Sequence, residues 1–299
     1  LTVQGPLPKI MYVSTPSEYW GGHGALVHTD LTGSHDMDPP EAVRIYILGG
    51  MQHSLGGLPL TDTDAEGVRT QRLYHCLDYR SLLRAALVNL DRWVTSGHPA
   101  PPSRYPKISD GTAVSPETAL KTLTSIPGVE PPVHLRRFTR LDFGTDPGVP
   151  TKVPPVVGNL YPNLVSAVDG DGNETSGILM PFITVPLATY TGWNLRHADI
   201  GGNGEIMSTG GASGGTLKGS TIPFPAKAED REASGDPRLS IEERYASKEG
   251  YLNKIDEAAR SLLDEAYLLQ EDLATVMELA GDLYDVFVGW AAAVQAADN

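Results

Sequence analysis

Hydrophobic positions follow two rhythms along this chain. In the first part, short apolar runs alternate with long polar loops. "KIMYVS" (Lys9 to Ser14) and "VRIYIL" (Val43 to Leu48) are β-branched, aromatic and apolar, the pattern of short buried strands. Pro16 and a glycine cluster break the first, and Gly49-Gly50 closes the second. Between about Thr70 and Thr95 the rhythm becomes helical. Leu73, Leu77, Leu83, Leu87, Leu90 and Val94 form a stripe that predicts a long helix with those residues in the core, ended by Gly97 and Pro99. Strands joined by long loops and covered by a helix suit an α/β sheet with its site at the strand ends.

Beyond "PAPPSRYP" (residues 99–106), a stiff proline-rich connector, Ser115-Pro116 reads as an N-cap followed by proline at the first helical position. From Val129 to Pro225 the chain is rich in Pro, Gly, Val and Thr. There "NLVSAV" and "GILMPFITV" flank "DGDGNETS" as the arms of a β-hairpin. "SIEE" (Ser240 to Glu243) is a capping box opening a helical tail, with helices expected near 240–246, 249–266 and 271–295. The expected organisation is a core of strands, loops and covering helix over 1–106, a Pro/Gly-rich β/loop extension over 107–235 and the helical tail over 236–299.

Charge narrows the partners. The net charge is −14, and from Glu229 onward there are 17 acidic and 6 basic residues. An acidic surface repels phosphate backbones and anionic lipid, so neither nucleic acid nor membrane is expected as a partner. No apolar run reaches the roughly 18 residues of a spanning helix. The single cysteine, Cys76, excludes an internal disulfide and a multi-cysteine zinc site.

The candidate chemistry starts at "VRIYILGGMQHS". His53 lies just past the glycine-broken end of a strand, and Glu18 just past the end of the preceding one. A carboxylate before a histidine, both on loops after strands, is the acid–base order of an α/β-hydrolase triad. In that chemistry the carboxylate fixes the imidazole tautomer and the imidazole deprotonates a serine. Asp30, Asp36 and Asp38 are alternative acids, because loop carboxylates can reach back.

Several stretches carry a family resemblance: "STPSEYWGGHGALVHTD", "VRIYILGGMQH", "LLRAALVNLDRW", "PPSRYP", "VPLATYTGWNLR" and "DPRLSIEERY". Together they resemble the C-terminal half of a bacterial family of α/β-hydrolase domain-containing proteins, over roughly residues 5 to 275. The resemblance implies an α/β fold made of the C-terminal part of a hydrolase sheet, with a β/loop-rich extension and the helical tail. It implies a cofactor-free serine hydrolase acting on a small-molecule ester, with Glu18 as acid and His53 as base. The family's nucleophile lies in an upstream G-x-S-Q-x-G elbow. The expected partner is therefore the N-terminal half of the same hydrolase, and the chain alone is expected to be inactive and poorly stable, with a sheet edge and apolar surface uncovered. "GASGG" (Gly211 to Gly215) matches G-x-S-x-G at Ser213, but it lacks the strand and helix that hold an elbow serine proud of the sheet, so Ser213 is rejected as nucleophile.

Other constellations are weaker. Tyr19, Trp20, Gln52, Trp193, Asn194 and Arg196 are candidate pocket residues, with a structural role as the alternative for the last three. His23, His28, Asp30, His35, Asp36 and Asp38 crowd one loop, which keeps a metal-dependent hydrolase as an alternative, although no sharp zinc pattern is present. Asp169, Asp171 and Asn173 mimic the start of a calcium loop, but Glu174 replaces the required glycine and Met180 the final glutamate, so the segment is read as a turn. A non-catalytic β-rich binding module with a helical tail is the remaining alternative, in which Glu18 and His53 are incidental.

Overall fold

The computed structural model describes residues 8–146, 148–206 and 218–297. Strand β1 (Ile10–Ser14) leads directly into helix α1 (Pro16–Gly22), and strand β2 (Val43–Gly49) returns parallel to β1, pairing Ile10 with Val43 through Ser14 with Ile47. Strand β3 (Leu73–Tyr74), only two residues long, and then the long helix α2 (Arg80–Thr95) follow. Strand β4 (Ala113–Val114), helix α3 (Pro116–Leu123), strands β5 (Thr139–Asp142), β6 (Val156–Leu160), β7 (Val165–Ser166) and β8 (Ile178–Leu179) come next. Helix α4 (Pro181–Thr184), strands β9 (Ala188–Thr191) and β10 (Ser220–Pro223), and helices α5 (Ala228–Ser234), α6 (Ile241–Arg244), α7 (Lys248–Asp264) and α8 (Leu273–Ala297) complete the order.

The sheet that positions the site has the order β1-β2-β8, all parallel, and a second, antiparallel sheet has the order β3-β10-β9. β2 is buried on both faces, as a central parallel strand requires. Tyr46 and Leu48 point into a core with Leu82 of α2, Ile255 of α7 and Leu283 of α8. Ile45 and Ile47 point the other way, into a core with Tyr19 and Trp20 of α1, Leu123 of α3 and Trp193. The tail is tied in by a buried ion pair. Arg238 donates through Nε and Nη2 to the Asp236 carboxylate, and its remaining hydrogens reach Thr189 Oγ1, Ile222 O and Pro223 O at 2.9 to 3.1 Å. Among the described residues, no helix is long and apolar enough to cross a membrane.

Three expectations need correction. β1 is not buried: Ile10, Tyr12 and Val13 are exposed, because β1 is the edge of its sheet and pairs with β2 alone among the described strands. The helix predicted from Thr70 starts only at Arg80, and its core face is the other one. Leu82, Ala85, Asn89 and Trp93 are buried, whereas Leu83, Leu87 and Val94 are exposed. Specific long-range contacts select that face: Asn89 Nδ2 donates to Ala266 O at 2.7 Å, and Lys9 and Arg44 both lie over the Trp93 ring. Finally, β7 and β8 do not form a hairpin. β7 pairs with β4 and β8 with β2, and the intervening turn holds a single bridge, Val168 to Glu174.

Candidate active site

β2 ends where side chains cannot fit. A Cβ on Gly49 would lie 2.3 Å from Ser176 O, and one on Gly50 would lie 2.6 Å from Ile183 Cδ1. Gly50 also has φ +72°, a conformation that glycine adopts without penalty. The next three residues are fastened individually. Met51 is fully buried, Gln52 Oε1 accepts from Gly219 N at 2.6 Å, and His53 is held at both ends of its backbone. Its N–H donates to Ser17 Oγ at 3.0 Å, and its carbonyl accepts from Tyr79 OH at 2.6 Å. The loop after β2 is thus a rigid platform for one exposed imidazole.

Glu18 is positioned by the start of α1. Thr15 is its N-cap, Pro16 occupies the first helical position, and Glu18 is the third helical residue, the acidic member of a capping box. Its Oε2 accepts from Thr15 N and Thr15 Oγ1, both at 2.7 Å. Its Oε1 contacts His53 Nδ1. A carboxylate at Nδ1 places the imidazole hydrogen there and leaves the Nε2 lone pair free to accept a proton. The His53 side chain is 59% exposed, and its Nε2 has no partner among the described residues.

The competing acids are engaged elsewhere. Asp30 closes its own turn by accepting from Thr32, Ser34 and His35 backbone N–H groups; its hydrogen bond to the Thr32 hydroxyl leads the causes that pull its carboxyl far down. Asp36 accepts from Ile108 N at 2.8 Å and Ser109 N at 3.0 Å. Burial, and after it the charge of Asp38, raises the Tyr105 phenol; no hydrogen bond to His53 is made by Asp38 among the described residues.

The predicted metal loop is likewise dispersed. His23 Nε2 lies 2.9 Å from Arg136 O, and His28 Nε2 lies 2.6 Å from Tyr19 OH. Among the described residues no group of three His, Cys, Asp or Glu side chains is arranged to hold a metal ion. The mock calcium loop is a turn. Asp169 Oδ1 accepts from Asp171 N and Asn173 N, and buried Asn173 bridges to β9 through Ala188 O and Tyr190 N.

The predicted pocket residues have internal partners. Trp20 packs against Trp193 with ring centroids 5.6 Å apart, and Tyr19 uses its hydroxyl on His28. Gln52 is buried on Gly219, and Asn194 ties Arg72 O to Gly219 O. Trp193 and Asn194 border a small cavity of about 10 Å³, room for about one water molecule. Arg196 is exposed beside the backbone bridge from Thr70. The side-chain polar atoms of Tyr19, Gln52 and Asn194 are thus used within the fold, whereas the buried Trp193 Nε1 has no hydrogen-bond partner among the described residues. Ser213 lies outside the described residues. Cys76 is buried and burial pushes its thiol up to about 12, which excludes a reactive thiolate near neutral pH.

Residues that the sequence reading missed are Thr15, Ser17, His75, Tyr79 and, as a buried residue, Glu174. Only Thr15 had a local signal, since Thr15-Pro16-Ser17-Glu18 is itself a T-x-x-E capping box.

A parallel sheet with a carboxylate in the first turn of the helix after one strand, in contact with a histidine on the loop after the next, is compatible with an α/β-hydrolase arrangement. The sequence pattern of the alpha/beta hydrolase domain family matches residues 6–278, nearly the whole chain, and the chain belongs to that family. No curated protein and no solved structure matches it.

Proposed function

We propose that Glu18 and His53 are the acid and base of a serine hydrolase that cleaves carboxylic esters. The observation that carries this reading is the Glu18 Oε1–His53 Nδ1 contact, with Glu18 anchored on Thr15 and His53 Nε2 exposed. The nucleophile is taken to be the serine of the upstream elbow that the family resemblance implies. In the reaction, serine Oγ attacks the ester carbonyl as His53 Nε2 takes its proton. Glu18 stabilises the imidazolium, and Nε2 returns the proton to the leaving alkoxide. Water then repeats the sequence on the acyl-enzyme, and backbone N–H groups beside the nucleophile stabilise both oxyanions.

The test is ester hydrolysis by the hydrolase carrying the elbow. His53→Ala is expected to lower kcat about 10³-fold, and Ser213→Ala to leave it unchanged. The present chain alone is expected to show no turnover and no labelling by a serine-directed phosphonate. Normal turnover in His53→Ala removes the base assignment. Labelling of Ser213 in the present chain moves the nucleophile to the glycine-rich loop.

A further inference from the structure

Both peptide units that flank Gly50 are gripped by side chains. The Gly50 N–H donates to Glu174 Oε2 at 3.0 Å, and its carbonyl lies 2.7 Å from His75 Nε2. His75 Nδ1 accepts from Leu77 N at 3.3 Å, so Nε2 carries the ring hydrogen and donates to Gly50. Both gripping side chains are buried, Glu174 from the turn before β8 and His75 from the residue after β3.

The Glu174 carboxylate is not used by its own turn, and His75 adds to its local bond with Leu77 N the longer-range one to Gly50. Asp169 and Asn173 already close the turn that contains Glu174, and the hydrogen bond described for the Glu174 carboxylate leaves that turn for Gly50. Burying a carboxyl against one backbone N–H costs more than an apolar residue would. What both groups hold is the positive-φ turn at the end of β2. Gly50 is a left-handed glycine three residues before His53, and a rotation there swings the imidazole away from Glu18.

We propose that Glu174 and His75 are positioning residues for His53: by clamping the two peptide units on either side of the Gly50 Cα they keep His53 Nδ1 on the Glu18 carboxylate. The inference rests on the reading of His53 as the base. It is consistent with the electrostatics, because burial raises the Glu174 carboxyl to about 8 and lowers the His75 imidazole to about 4. Both clamps are therefore mainly neutral near pH 7 and add little net charge beside the pair they support.

The test compares Glu174→Gln, which keeps a carbonyl acceptor for Gly50 N–H, with Glu174→Met, which removes it. The readout is the low-field proton resonance of His53 Nδ1–H in the whole chain labelled with ¹⁵N-histidine, together with kcat and KM for a p-nitrophenyl ester in the hydrolase carrying the elbow. Glu174→Met is expected to shift or abolish the resonance and to lower kcat at least tenfold with little change in KM, whereas Glu174→Gln retains both. His75→Leu attacks the other side of the clamp and should reproduce the Glu174→Met result; it serves if Glu174→Met loses its near-ultraviolet circular dichroism. The proposal is overturned if folded Glu174→Met or His75→Leu keeps the wild-type resonance, or if Glu174→Gln loses it as fully as Glu174→Met. The resonance is read without substrate. A chain that shows this resonance pattern while the hydrolase cleaves no ester would sink the hydrolase reading and leave the clamp standing.

Discussion

The Glu18 carboxylate divides its two oxygens between His53 and Thr15: Oε1 contacts His53 Nδ1, and Oε2 accepts both the N–H and the hydroxyl of Thr15. One residue thereby caps helix α1 and orients the exposed imidazole. The orientation is built in, since a carboxylate held by two donors has little freedom to leave the ring it faces.

Removing either half of that division has a graded consequence. Glu18→Gln places an amide at Nδ1 that cannot stabilise an imidazolium, and kcat for ester hydrolysis is expected to fall by about 10²- to 10⁴-fold. Thr15→Val keeps the backbone N–H donor and loses only the hydroxyl. It is expected to lower kcat about tenfold and stability by about 1 kcal/mol, read from steady-state kinetics and urea unfolding.

Stability should depend on pH through three buried groups. Burial lowers His28 and His75 from 6.5 to about 4, so between those values the unfolded chain takes up protons that the folded chain refuses. Each histidine then costs about 1.4 kcal/mol per pH unit as pH falls through that window. Glu174 acts in the opposite sense. Burial raises it from 4.5 to about 8, so the folded chain keeps a proton that the unfolded chain has released. Stability is lost as pH rises across that interval and levels off above it. Urea unfolding of the wild type should show greatest stability near pH 6.5, and Glu174→Gln should remove the decline on the alkaline side. A wild-type curve flat between pH 6.5 and 8 would count against the buried, protonated carboxyl.

The two faces of α2 should respond differently to truncation. Leu82→Ala empties a buried site and is expected to cost about 2–5 kcal/mol. Leu87 is 69% exposed, and Leu87→Ala should change stability by about 0.5 kcal/mol or less. Equal losses at the two positions would restore the leucine stripe as the core face.

Asp236→Ala should be among the most damaging changes far from the site. It leaves the Arg238 guanidinium, only 3% exposed, without its carboxylate. A loss of about 3–5 kcal/mol is expected in urea unfolding, with the double replacement Asp236→Ala/Arg238→Met recovering part of it.

Much of this architecture was legible in the chain. The apolar runs predict β1 and β2, the double glycine predicts the break after β2, and Ser115-Pro116 and Ser240-Ile241-Glu242-Glu243 mark the starts of α3 and α6. The tail helices expected near 249–266 and 271–295 are α7 and α8. That Glu18 and His53 each follow a strand end was legible, because strand ends and residue types are local features. That Glu18, and not Asp30 or Asp36, contacts His53 was not, because it depends on which carboxylate is already bonded elsewhere.

By itself, then, the sequence determined β1, β2 and the starts of α3 and α6, that a histidine follows the end of β2, and that a carboxylate follows the end of β1. Only the tertiary structure decided that the Leu83–Val94 stripe faces outward and that β1 is an edge. It also decided that Glu174, inside a segment resembling a failed calcium loop, reaches Gly50 across 124 positions of chain. The physical reason is the range of the forces. Capping, turn geometry and hydrophobic period act within a few residues, whereas the burial of one face and the pairing of a buried polar group are settled by whatever distant segment the fold brings alongside.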